Sequence, residues 1–116
     1  MTTLGTIIDE LKLEILTEEK DFNKINVKNG YTSDLLSCVM AGAPHQSVWV
    51  TLQAHNNIIA VAALLELSAI IITEGATPDT NTIKKANEED VTLLSTKSNS
   101  FEVVGKLWEL GIRSEK

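Results

Sequence analysis

Gln53, His55 and Asn56 lie in the stretch Val48-Trp-Val-Thr-Leu-Gln-Ala-His-Asn-Asn-Ile-Ile-Ala-Val-Ala-Ala-Leu65, where an apolar strand pattern breaks at a polar hinge and restarts as an apolar helix. Two amides and an imidazole are hydrogen-bonding groups, and the imidazole is the one that titrates near neutrality. In parallel α/β domains ligands bind beyond the carboxyl ends of the strands, where helix amino ends point. The three residues are therefore candidates to hold a phosphate, a carboxylate or a polar small molecule. Thr73 and the pair Ser95-Thr96 close two further apolar runs in the same way, which gives a polar rim. Asp34 is the carboxylate candidate, either capping a short helix or meeting a ribose hydroxyl. Thr, Ser and Asn also precede helices as plain caps, and that reading of the rim stands beside the ligand-binding one.

For catalysis the same residues offer one scheme, a hydrolase or phosphotransferase with His55 as general base and Asp34 orienting it. No catalytic residue is assigned, because nucleophile, base and orienter are not found together. His45 and His55 lack the i, i+3 or i, i+4 pairing of a helical metal site, so no metal is expected. Cys38, the single cysteine, falls between Leu36 and Met40 and is expected to be a buried, inert thiol. One cysteine excludes an intramolecular disulfide, a thiolate zinc site and an iron-sulfur cluster held by one chain. No Gly-x-Gly-x-x-Gly and no Gly-Lys-Ser/Thr occurs, so ATP hydrolysis and dinucleotide redox chemistry are disfavoured and no cofactor is expected.

The elements that must position these residues follow from periodicity. Leu4, Ile7, Ile8 and Leu11 predict an amphipathic helix capped by Thr2 or Thr3. Leu13 and Ile15 alternate with charge, which predicts a strand to about Leu16 and then a polar turn. A short strand over 25–27 is expected to end in a tight reversal at Lys28-Asn29-Gly30, with Asn-Gly supplying positive φ. Ser33 is expected to cap a helix over 34–41, Asp34 complementing its dipole, with Gly42 and Pro44 stopping it. Three strand-and-helix units follow: 48–52 with 55–66, 69–73 with 79–89, and 91–95 with 101–110. Their strands start about 21 to 22 residues apart, the spacing of a strand plus a crossover helix, so the sheet core is expected to be parallel. Thr77-Pro78 is expected as N-cap and N1, Asn99 to Glu102 as a capping box, and Gly111-Ile112 as a Schellman stop. Glu74-Gly75 is expected as a surface turn. The helix over 55–66 is apolar nearly all round, more than one sheet face needs, which suggests a subunit contact.

Composition bounds the rest. The chain has 116 residues, expected to form one domain over 1–116, with ten basic and sixteen acidic residues and a formal charge of −6. That charge opposes nucleic-acid binding. The most apolar stretch, Ile58 to Thr73, is interrupted by Glu66 and Ser68 and falls short of a span, so no membrane partner is expected. The amino end lacks a signal-peptide pattern, and a cytoplasmic location is expected.

Gly30-Tyr-Thr-Ser-Asp-Leu-Leu-Ser37, the stretch Val48 to Ala62, and Ile70-Ile-Ile-Thr-Glu-Gly75 together resemble the DRTGG domain family over nearly the whole chain. Ser95-Thr96 before a Phe-led helix fits the same pattern. In the naming motif Asn23-Lys24 stand for Asp-Arg, and Lys28-Asn29-Gly30 for Thr-Gly-Gly. The resemblance implies an α/β fold of three layers, α/β/α, with a mixed, mostly parallel sheet like the N-terminal domain of HPr kinase/phosphorylase. It implies a regulatory or assembly piece of the kind that sits beside phosphotransacetylase or between CBS domains of a pyrophosphatase. Stand-alone members accompany iron-only hydrogenase components, so a hydrogenase or another redox enzyme is an implied partner. The kinase P-loop and the pyrophosphatase metal motifs are missing, so neither activity carries over. The function expected is a non-enzymatic regulatory or assembly module, a homodimer, sensing a small anion or nucleotide at the carboxyl edge of the strands. A hydrogenase interaction subunit and a small enzyme using His55 are the alternatives.

Overall fold

The computed structural model describes residues 2–114. Its elements in chain order are β1 (Thr2–Thr3), α1 (Leu4–Leu11), β2 (Glu14–Ile15), a 3-10 helix (Phe22–Lys24), β3 (Asn26–Val27), β4 (Gly30–Thr32) and α2 (Leu36–Gly42). There follow β5 (Val48–Thr51), α3 (Asn57–Leu65), β6 (Ala69–Ile72), α4 (Thr80–Glu88), β7 (Leu93–Ser95) and α5 (Ser100–Glu109). The main sheet has the order β2-β7-β6-β5-β4. All its pairs are parallel except β2 with β7. A mixed, mostly parallel sheet between two helical layers is therefore the architecture.

The period-2 pattern of the strands divides the core in two. Val48, Val50, Ala69, Ile71 and Leu94 face α1, α5 and the 3-10 helix, while Trp49, Ile70, Ile72 and Leu93 face the layer of α2, α3 and α4. Each of the fully buried isoleucines 70–72 contributes about 1.5–3 kcal/mol of apolar burial. These two layers fix the sheet, and the sheet in turn fixes where its carboxyl edge lies.

Local signals explain most element ends. Thr3 accepts from the Thr6 N–H as the cap of α1. Asn99 accepts from the Glu102 N–H at 2.8 Å to start α5. At the far end of α5, Gly111 at φ +97 lets the Ile112 N–H reach the Leu107 carbonyl at 3.0 Å, the Schellman closure.

Four local expectations are corrected. Lys28-Asn29-Gly30 makes no reversal: neither Asn29 nor Gly30 has positive φ, and the chain runs on into β4. The segment is held by backbone pairing instead, the Arg113 N–H to the Lys28 carbonyl, the Gly30 N–H to the Arg113 carbonyl, and the Val48 N–H to the Asn29 carbonyl. The strand before it leaves the main sheet and pairs antiparallel with β1. Ser33 does not cap α2, which starts two residues later from Leu35 with no side-chain cap, because Asp34 is drawn to the end of β5. The cap of α4 is Asp79 rather than Thr77: its carboxylate accepts the Thr82 N–H at 2.8 Å, a better acceptor than a hydroxyl. Cys38 is exposed, not buried, because α2 lies over the edge strand and turns only Val39 fully inward.

The apolar excess of α3 is largely used within the chain. This helix packs between α2 and α4 and buries Ile58, Ile59, Val61 and Ala62, leaving Leu64 exposed. Among the described residues no helix is long and apolar enough to cross a membrane.

Candidate functional site

Parallel register brings Thr51, Ile72 and Ser95 side by side at the carboxyl edge of β5, β6 and β7. The residues just beyond them form the rim, and the fold divides that rim into two halves of different character.

The first half is closed on itself. Asp34 Oδ1 accepts from the Thr51 hydroxyl at 2.7 Å and from the Leu52 N–H at 2.9 Å. Gln53 donates its amide to the Asp34 carbonyl at 3.1 Å, and the Trp49 indole N–H donates to the Ser33 carbonyl at 2.9 Å. This network clasps the loop after β4 onto the end of β5. His55 accepts the Asn57 N–H on Nδ1 at 3.3 Å, so it caps the first turn of α3. Asn56 is exposed and makes no side-chain cap. Among the described residues no hydrogen bond or ion pair joins Asp34 to His55. The carboxylate that feels His55 is Asp79. Its pKa is held below the ordinary carboxyl value, first by the Thr82 N–H, then by the Thr82 hydroxyl, with the His55 charge a smaller contribution.

Thr73 sits between the halves, fully buried, its hydroxyl 2.7 Å from that of Ser100. Glu74 and Gly75 turn with φ of 63 and +71, and the Glu74 carboxylate accepts the Ser100 N–H at 3.2 Å. The amino end of α5 is thus already occupied by this carboxylate and by Asn99.

The second half is open. Ser95 and Thr96 line a cavity of about 280 Å³ with Lys12, Glu14, Leu16, Gly75, Ala76, Thr77, Pro78 and Lys97. Two lysines and three hydroxyl-bearing residues line it together with one carboxylate residue, Glu14, to which the Ser95 hydroxyl donates at 3.4 Å. In a chain of net charge −6 the cleft carries local positive charge. Its volume stands near the lower end of small-molecule sites. Of the sequence candidates, Ser95 and Thr96 come together here, while Asp34 and Gln53 belong to the clasp, His55 and Asn56 to the start of α3, and Thr73 to the core.

Lys12 was not foreseen. It ends α1 in the left-handed region, φ 53, with the Leu13 N–H closing onto the Ile8 carbonyl. Only the antiparallel pairing of β2 beside β7 carries it to the rim, and nothing in the local pattern of the chain announces that pairing. Also unforeseen is an apolar groove of about 300 Å³ between β4 and α5, lined by Gly30, Val50, Val104, Leu107, Trp108 and Arg113. A Cβ added at Gly30 would press on Ile112 Cγ2 at 3.0 Å, and Arg113 stacks 4.3 Å over the Trp108 ring. Of the positions that stand for the naming motif, Gly30 lines this groove, whereas Lys24 lies elsewhere. Lys24 lines a cavity with Asn26, Ser68 and Thr92, at the opposite, amino edge of the strands. Among the described residues no cluster of three or more His, Cys, Asp or Glu is arranged to hold a metal ion.

Comparison with known proteins adds the following. The fold matches, with a TM-score of 0.71 and 21% identity, the crystal structure of the CBS and DRTGG domains of the regulatory region of Clostridium perfringens pyrophosphatase, complexed with its activator diadenosine tetraphosphate. The match covers 90% of this chain and 45% of that one, so the chain spans less than half of that regulatory region. No curated protein matches the sequence. The DRTGG domain model matches residues 6–110, and the chain belongs to the DRTGG domain family.

Proposed function

We propose that the chain is a non-enzymatic regulatory module, a cytoplasmic homodimer, that senses a small anion or nucleotide in the cleft between Lys12 and Lys97. The observation that carries this reading is the convergence of Lys12, Lys97, Thr77, Ser95 and Thr96 on one cavity of about 280 Å³ in an otherwise acidic chain. Lysine ammonium groups and hydroxyls are donors matched to phosphate or carboxylate oxygens. The regulatory part of the reading is supported by family membership and by the regulatory region in which the structural neighbour's domain is found. His55 serves as a cap and Asp34 as a clasp, which favours sensing over catalysis at the rim.

A thermal-shift series with inorganic phosphate, pyrophosphate, acyl phosphates and adenine nucleotides tests it. A ligand at 100 times its dissociation constant adds about 2.7 kcal/mol, which for a domain of this size raises the midpoint by about 10 °C. Lys97→Met and Lys12→Gly are expected to abolish the shift. Lys12→Gly is the informative variant, since glycine suits the left-handed position and the ligand-free protein keeps or gains stability. No shift with any of these anions, or a shift unchanged in both variants, overturns the reading.

A further inference from the structure

Residues 35–65 contain no Asp, Glu, Lys or Arg, although such residues make up 22% of the chain. The fold gathers this charge-free span into β5, which is buried, and the neighbouring helices α2 and α3, which lie side by side on one face of the sheet. Their outer surfaces are open to solvent. On α2, Ser37, Cys38, Met40, Ala41 and Gly42 are exposed, and on α3 Asn57, Ala60 and Leu64 form a stripe at i, i+3 and i+7. Among the described residues, four of the six large apolar side chains left exposed, Leu35, Met40, Leu52 and Leu64, belong to the span. The next helix of the same layer, α4, is different: Lys84, Lys85 and Glu88 are all exposed on it, as is Glu89 just past its end. The layer is therefore part uncharged and part charged, and the boundary falls between α3 and α4.

We infer that the outer face of α2 and α3 is the contact between two copies of this chain, which rests on the homodimer reading above. A second copy is the occupant that an uncharged face fits. In a two-fold contact the residues near the axis face their own copies, so a charge there would oppose itself, and an uncharged patch carries no such penalty. Two chains of −6 repel at long range and can close only through a surface that adds no further repulsion. A partner recruited by charge would dock instead on the acidic remainder. Met40, Ala41, Ala60 and Leu64 are the exposed apolar side chains that the two helices offer to such a contact.

Sedimentation velocity on the full chain at 1–100 μM (roughly the range in which weak contacts are read) decides the matter. A dimer is expected whose dissociation constant falls as ionic strength rises, because no ion pair is broken while repulsion is screened. Ala60→Glu and Met40→Glu should each weaken it about tenfold or more without changing the circular dichroism spectrum, both sites being exposed. Phe101→Glu, the same charge added at a side chain 91% exposed on the far helical layer, should leave it intact. A wild-type chain monomeric throughout this range overturns both the homodimer and the surface. A dimer that survives Ala60→Glu and Met40→Glu, or that salt weakens, overturns the surface and leaves the homodimer standing.

Discussion

Asp34 is the sequence candidate whose role the fold most changes, and truncating it has a calculable effect. Its Oδ1 takes two hydrogen bonds, one from the Leu52 N–H and one from the hydroxyl of Thr51, which is fully buried. Leu52 is 45% exposed, so after Asp34→Ala its N–H regains water and the loss there is about 1 kcal/mol. The Thr51 hydroxyl has no water to turn to, and an orphaned buried donor raises its share to about 2 kcal/mol. With an unfolding entropy of about 2.1 cal/mol/K per residue, the combined loss of about 3 kcal/mol lowers the midpoint of thermal unfolding by about 12 °C. Asp34→Asn keeps a carbonyl oxygen at the same point and forfeits only the charge assistance. It should lose about 1 kcal/mol, or about 4 °C. Differential scanning calorimetry on the three proteins reads both numbers. Equal losses in the two variants, or a loss below about 1 °C in Asp34→Ala, would refute the clasp and return Asp34 to the ligand-contact candidates.

Three further outcomes are expected. Ser47 Oγ is buried and has no hydrogen-bond partner among the described residues, so Ser47→Ala should be neutral or stabilising by about 1 kcal/mol, and a melt lowered by several degrees would show a missed partner. Gly111→Ala, at φ +97, forces a Cβ into the left-handed region and should cost about 1–2 kcal/mol, read from urea midpoints at unchanged slope. Asp79 is held below its ordinary pKa, so the stability it adds is fully present above the unfolded carboxyl value near 3.8 and is lost as pH falls through the lower folded value. Asp79→Asn should therefore flatten the acid limb of stability below about pH 4, and an unchanged limb would mean the Thr82 cap does not persist in solution.

The parallel core was legible because three near-identical strand-and-helix units repeat at constant spacing, and buried strands need no long-range information to be recognised. Asn99 and Gly111 were legible for the same local reason, a cap and a stop read within four residues. The amino-terminal third was harder. Asn29-Gly30 carries the strongest short-range turn signal in the chain, yet pairing with Arg113 and Val48 holds it extended, a tertiary override of local preference. Asp34 was misjudged as a dipole partner because its role depends on what stands across the sheet edge, the end of β5, and Thr77 as a cap because the stronger acceptor Asp79 stands two residues on in the chain. At the site, Ser95 and Thr96 followed from strand register, but Lys12 required the pairing of β2 with β7, which is set by residues about eighty positions apart. The link to hydrogenase components is an implication of the resemblance and draws nothing from the fold.

Anion binding between Lys12 and Lys97 is tested most directly by titrating the isotope-labelled chain with pyrophosphate or an adenine nucleotide and following backbone amide shifts by NMR. The expected result is saturable movement confined to Leu13 to Ile15, Gly75 to Thr77 and Ser95 to Lys97, and lost in Lys97→Met. Shifts centred instead on Val104, Trp108 and Arg113 would place the ligand in the groove between β4 and α5, and a spectrum unmoved by any of these anions would contradict a sensing role for the cleft.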